Sequence, residues 1–266
     1  MLSVGDEGAC DVLDRSQLIA REPSLHAIQE KLVGGLHFTG DEAGDSHLFC
    51  LHMSKVLRDK GVEFRYNCAV DEINKEGSLF KVPLASGEAL KADAVVVAAG
   101  AHSPELVSKL GIKLPIKPAK GYSLTIPMDG WENKPAHLMA DMNMHVGVNP
   151  LGGTHLRIAG TAEFAGYDRS LTEKRINNLV GLLEELFPDF AATVDRKNLN
   201  PWMGHRPMCC DGVPVLGKTR VEGLYLNTGH GHLGWTMAAA SGRVVADTIM
   251  GHTPEVDMSE YSINRF

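Results

Sequence analysis

What this sequence is short of narrows its chemistry before any motif is read. Basic residues are neither abundant nor massed. The 26 Lys and Arg are outnumbered by 33 Asp and Glu, giving a formal charge of -7 spread over 266 residues. A nucleic-acid or anionic-membrane partner needs a positive patch, so nucleic acid is excluded and small-molecule chemistry is expected. Long apolar runs are missing too: the longest, Ala92 to Ala101, falls far below the roughly 20 residues that cross a bilayer. The N-terminus shows no basic region followed by an apolar one, so no secretory leader is expected. The expected location is therefore the cytoplasm, with peripheral attachment to the inner face of a membrane left open. The five cysteines, Cys10, Cys50, Cys68, Cys209 and Cys210, are odd in number and contain no C-x-x-C spacing. That predicts reduced thiols rather than a disulfide framework or a zinc ribbon.

What remains is an ordinary globular composition, 44% hydrophobic and 22% charged, without repeats or low-complexity tracts. Its length permits two interleaved domains. Residues 1 to 40 read as a polar opening segment with a short helix over Asp14 to Arg21, stopped before Pro23. Gly44-Asp-Ser46 followed by Leu48, Leu51, Val56 and Leu57 predicts a helix from about 46 to 60. Val62 to Tyr66, Ala69 to Ile73 and Leu79 to Leu84 read as strands. Ala94-Val-Val-Val-Ala-Ala-Gly100 has the pattern of a parallel strand buried on both faces. Gly121 to Ile126, His145 to Val148 and His155 to Ala159 alternate between turn residues, which predicts an antiparallel sheet. Ile176, Leu179, Val180, Leu183 and Leu186 share one helical face, with Pro188 as the stop. The chain closes with a strand at Gly223 to Asn227, a glycine-rich turn, and a helix over Gly234 to Met250 with Gly251 as its cap.

That last turn is the most informative stretch. Asn227-Thr-Gly-His-Gly-His-Leu-Gly-Trp-Thr236 puts glycines between a strand and a helix whose first amides are free, an arrangement suited to a flat or negatively charged ligand. A plain strand-turn-helix connection reads equally well from the spacing alone. His230 and His232 have no third ligand near them in the sequence, so no metal is assigned. A second cluster, Trp202-Met-Gly-His-Arg-Pro207, holds Arg206 between glycine and proline on what reads as an irregular, stiffened segment. A fixed guanidinium fork there suits a carboxylate, although a surface arginine is the plainer alternative. Adjacent Cys209 and Cys210 read as packed thiols.

Taken together, Gly40-Asp-Glu-Ala-Gly-Asp45, Lys91 to Gly100, Lys120-Gly-Tyr-Ser-Leu-Thr-Ile-Pro127, Gly204-His-Arg-Pro207 and Leu226 to Met237 resemble the FAD-dependent D-amino-acid, glycine and sarcosine oxidase family. Within it the likeness is to the small subunit of D-amino-acid dehydrogenases. The resemblance implies a mixed fold, α/β plus α+β: an incomplete Rossmann-like FAD-binding domain interleaved with an antiparallel-sheet substrate domain. The implied boundaries are an opening segment of the substrate domain at 1–43, parts of the FAD-binding domain at 44–116 and 201–266, and the substrate domain at 117–200. It also implies that Arg206 pairs with a substrate carboxylate and that Gly229, Gly231, His232, Leu233, Gly234, Trp235 and Thr236 meet the flavin ring. Val70 falls beside the adenine, Ala99 and Gly100 lie where the chain passes FAD, and Tyr122 and His230 are pocket residues. The implied reaction takes a hydride from an amino acid to flavin, giving an imino acid that water converts to a 2-oxo acid and ammonia.

One departure is large. A dinucleotide domain opens with a strand, Gly-x-Gly-x-x-Gly, a helix and a second strand ending in an acid, a unit of about 30 residues. None of this precedes Leu36, and Gly229-His-Gly-His-Leu-Gly234 has the letters in the wrong place. A truncated D-amino-acid dehydrogenase is the first expectation. A glycine- or sarcosine-oxidase-like enzyme is the second. The third is a non-catalytic fragment or subunit that needs a partner chain.

Overall fold

The structure is a computed structural model that describes residues 10–141 and 146–266. In chain order its elements begin with β1 (Asp11–Asp14), α1 (Arg15–Arg21), β2 (Gly34–His37) and α2 (Ser46–Asp59). Next come β3 (Asn74–Glu76), β4 (Leu79–Pro83), β5 (Ala89–Ala92), β6 (Val95–Val97) and α3 (Ser103–Ser108). The middle holds β7 (Ile116–Pro127), β8 (Met139–Asp141), β9 (Val146–Leu151), β10 (His155–Glu163), α4 (Glu173–Leu186) and α5 (Pro188–Ala191). The chain ends with β11 (Trp202–Cys209), β12 (Val215–Lys218), β13 (Leu224–Thr228) and α6 (Gly234–Met250). Contacts divide it into two compact units. The first comprises Met1–Cys50, Gly121–Ala162 and Arg169–Gly204; the second comprises Leu51–Lys120, Glu163–Asp168 and His205–Phe266.

The first unit is built on the sheet β11-β7-β10-β9-β8, in which β9 pairs antiparallel with both β8 and β10. Alternation does the work: Tyr122, Leu124, Ile126, Leu156 and Ile158 turn inward and meet Leu179, Leu182 and Leu183 from the apolar face of α4. α4 stops at Leu186, ahead of Pro188 as expected, and Pro188 then opens the short α5, where proline lacks only a donor that the first turn leaves unused. α1 starts as expected, with Asp14 and Gln17 forming a reciprocal capping box. The opening segment is less superficial than its composition suggests. Its 3-10 turns at Pro23–Lys31 bury Leu25 and Ile28, and the buried Glu22 carboxylate accepts from the Ala136 and His137 amides, each at 3.0 Å. His145, expected to begin a strand, lies outside the described residues.

The second unit has a small parallel core. β13 runs parallel to β6, with Leu224 opposite Val95 and Leu226 opposite Val97, and antiparallel to β12. α6 ends where Gly251 turns left-handed at φ 76°. Two sequence expectations fail here. Val62 to Tyr66 forms no strand, and of Ala69 to Ile73 only Val70 makes a bridge, to Leu84. β6 is not buried on both faces either: Val96 is 42% exposed, and β13 is the strand beside it in the sheet. The reason is the same in both places, since a strand needs a neighbour and no described residue supplies one along these edges. α2 forms as expected, yet buries none of its residues.

Candidate functional site

Within the second unit the glycine-rich turn is tied down at both ends. At its start, Thr228 Oγ1 donates to the Gly100 carbonyl at 3.1 Å and accepts from Ser103 Oγ at 2.9 Å, so the turns that follow β13 and β6 are fastened together. Further on, the Gly231 amide donates to the Pro207 carbonyl at 3.0 Å, and Met208 and His230 form an antiparallel bridge. These two contacts put the Gly-His-Arg-Pro segment beside the turn. Gly229 has φ +82° and Gly231 φ +56°, where a side chain would be strained, and a Cβ at Gly231 would stand 3.3 Å from Met208 Sδ. Gly234 is different: it sits in the first turn of α6 without positive φ, so space rather than backbone conformation is its contribution.

Arg206 lies within β11, not on an irregular segment. The sequence expectation is corrected because β11 is at the end of its sheet, the position where a strand tolerates proline. Burial pushes the Arg206 guanidinium below its ordinary value, the mark of a partly desolvated cation. His230 is half-buried, with Nε2 3.0 Å from Ser241 Oγ of α6, and burial likewise pushes its pKa down. His232, Leu233, Trp235 and Thr236 are exposed, and the amides opening α6 receive no side-chain cap. Tyr122 belongs to the other unit, where it is buried and its hydroxyl donates to Thr172 Oγ1 at 3.0 Å.

Val70 and Ala99, far apart in the sequence, line one cavity of about 620 Å3 that runs along β6 past Asp71, Val96, His102 and Glu105. Buried Asn227 Oδ1 has no hydrogen-bond partner. Sequence reasoning missed a second polar cluster in this unit. Lys120 Nζ, fully buried, donates to Asp168 Oδ2 at 2.6 Å, and the Asp168 carbonyl bonds His205 Nε2 at 3.0 Å, one residue before Arg206. Tyr167 stacks on His102 with centroids 4.8 Å apart and donates its hydroxyl to the Ala101 carbonyl. The available signal was Lys120 standing between Ala119 and Gly121 in a strand whose neighbouring positions are buried.

Residues 3–248 match the family description "FAD dependent oxidoreductase". The chain belongs to that family. A D-amino acid dehydrogenase of Xanthobacter autotrophicus is 42% identical over 257 residues, which is 96% of this chain and 60% of that protein. One from Granulibacter bethesdensis is 42% identical over 97% of the chain and 61% of its own length. The chain therefore spans about 60% of the length of these curated relatives. Glycine oxidase from Geobacillus kaustophilus superposes with a TM-score of 0.87 at 23% identity, over 99% of this chain and 68% of that one. This FAD-linked fold is an interleaved mixture of helices and antiparallel sheet, without a barrel. The open cavity, the positive-φ glycines and the uncapped start of α6 fit a flavin dinucleotide: a cleft for its length, backbone close enough for a flat ring, and free amides for negative charge.

Proposed function

We propose that this chain is the substrate-recognising and C-terminal flavin-facing part of an FAD-dependent D-amino-acid dehydrogenase. The observation that carries the reading is the Gly231 to Pro207 hydrogen bond, which holds the Arg206 strand against the glycine-rich turn inside one unit. Bound FAD supplies the acceptor for the two electrons and the hydrogen that leave the amine-bearing carbon. The protein's part is placement. Arg206 holds the substrate carboxylate by a charge-assisted pair, strengthened because its guanidinium is already partly withdrawn from water. The turn Gly229 to Thr236 would hold the flavin ring, Ala99 and Gly100 would hold the cofactor beside β6, and Val70 would face its adenine. His230 shapes the pocket while its Nε2 stays engaged with Ser241. No general base is assigned, since positioning accounts for most of such a step. Water then converts the released imino acid to a 2-oxo acid and ammonia.

The second unit leaves apolar side chains uncovered. Leu51, Met53 and Val56 of α2, Tyr66, Val96 of β6, Leu233 just before α6 and Trp235 within it are all exposed. Exposed apolar side chains in this number suit an interaction surface, and the open edge of β6 is a template for a further strand. We propose that a polypeptide segment carrying the pyrophosphate-binding βαβ unit covers it, either joined to this chain or as a partner chain. The reading places the assembly in the cytoplasm. No helix among the described residues is long and apolar enough to cross a membrane.

The test is to prepare the chain with excess FAD, alone and together with a polypeptide corresponding to the part of the relatives that the chain does not cover. After gel filtration, flavin content and dye reduction by a panel of D-amino acids are measured. Full flavin loading and dye reduction are expected only in the combination. Stoichiometric flavin that no D-amino acid bleaches defeats the substrate assignment, and bleaching by glycine or sarcosine with oxygen as acceptor favours the oxidase relatives.

A further inference from the structure

β11 ends at Cys209, and there the chain turns. In a continuing strand Cys209 and Cys210 would point to opposite faces. Here the Gly212 amide closes back on the Cys209 carbonyl at 3.1 Å, and the Val213 amide donates to Asp211 Oδ1 at 3.0 Å. The turn gathers three side chains onto one face: the two sulfurs and an Asp211 carboxylate oxygen all lie within 4.8 Å of one another. A tetrahedral zinc ion with sulfur at about 2.3 Å needs its sulfur donors about 3.8 Å apart, so the donors have to close by at most about 1 Å. Among the described residues this is the sole His, Cys and carboxylate group that converges so closely.

A cation already stands at this position. Arg265 donates from Nε to Asp211 Oδ2 at 2.8 Å and from an Nη to Asp211 Oδ1 at 3.2 Å, with a longer contact to Cys209 Sγ at 3.6 Å. Its remaining bonds go to the Val213, Pro214 and Ser262 carbonyls, which hold it in place from behind. A carboxylate oxygen has two lone pairs, so Asp211 can keep the arginine and still offer a ligand atom.

We propose that Cys209, Cys210 and Asp211 form a binding site for a thiophilic d10 divalent cation, zinc by its donor set, with a fourth position open to water. Two sulfurs and one oxygen exclude calcium and magnesium, which take oxygen alone. Cys209 also packs beneath the glycine-rich turn, since a Cβ at Gly229 would meet its Cβ at 3.6 Å. A bound ion would therefore stiffen the floor of the flavin-facing turn. The sequence showed no such site because consecutive ligands make no recognised metal spacing, and only the turn after β11 brings them together.

The test uses the intact chain, reduced and free of chelators, and is independent of the flavin reading. Cadmium is titrated while the thiolate-to-metal charge-transfer absorption and released protons are followed, and zinc content after dialysis is measured by elemental analysis. One equivalent bound per chain is expected, with at least tenfold weaker binding in Cys210→Ser and in Asp211→Asn. Cys210 is exposed, so Cys210→Ser keeps the fold and carries the test; Asp211→Asn also loses the charge that pairs with Arg265, so its circular dichroism is compared with wild type before its binding is read. Absence of the absorption band, or equal binding by Cys210→Ser, overturns the proposal. So does binding that is lost instead in Cys50→Ser or Cys68→Ser.

Discussion

Replacing Asp168 with asparagine removes the carboxylate to which the buried Lys120 ammonium donates. Lys120 is 0% exposed at its side chain and Asp168 is 47% exposed, with Nζ and Oδ2 2.6 Å apart. A fully buried ion pair that loses one partner costs about 3–5 kcal/mol, because the other charge is left desolvated. Water reaches Asp168, so part of the pair's attraction is already screened and about 2–3 kcal/mol is the fitting expectation. That is on the order of a hundredfold in the folding equilibrium, or about 5–10 °C in the midpoint for a chain of this size. Urea unfolding followed by circular dichroism gives the free energy. Hydrogen exchange over residues 163–168 shows whether the loss starts in the loop whose Asp168 carbonyl holds His205. The double variant Lys120→Met/Asp168→Ala removes both charges and should regain most of the loss. A penalty for Asp168→Asn below about 1 kcal/mol, or a double variant no better than the single one, refutes the reasoning.

Arg206→Leu in the flavin-loaded assembly should lower kcat/KM for a D-amino acid about tenfold to a hundredfold, the worth of a charge-assisted pair of about 1.5–3 kcal/mol; steady-state turnover equal to wild type rejects the carboxylate role. Gly231→Val should lose flavin while far-ultraviolet circular dichroism is retained, since φ +56° is strained for a branched residue and Met208 Sδ already stands 3.3 Å from the new Cβ. Flavin retained at one per chain counts against it. His230 has its pKa lowered by burial, so the folded state binds its proton less readily than the unfolded chain does. Stability should therefore fall as pH drops below the ordinary histidine value of 6.5, and His230→Asn should flatten that slope in paired thermal melts; identical slopes refute the assignment.

Much of this protein was settled locally, by residue order alone. The capping box of Asp14 and Gln17, the apolar face of α4, the helix from Gly234 to its Gly251 cap, and the alternating strands β7, β9 and β10 all follow from periodicity and turn chemistry, because each depends on neighbours a few residues away. The motifs around Arg206 and Gly231 were equally legible, and they carried the family. Tertiary structure decided what spacing leaves open. Val62 to Tyr66 has the composition of a strand but no partner among the described residues, and β6 keeps an exposed edge for the same reason, since pairing belongs to two segments rather than one. Arg206 is in a strand because β11 lies at the end of its sheet, where Pro207 costs no ladder bond and its carbonyl can take the Gly231 amide. Lys120 meets Asp168 across 48 residues, and Cys209, Cys210 and Asp211 share a face only because the chain turns after β11. Sequence periodicity records which side of its own element a residue occupies; which other element it then meets is fixed only when the apolar faces pack.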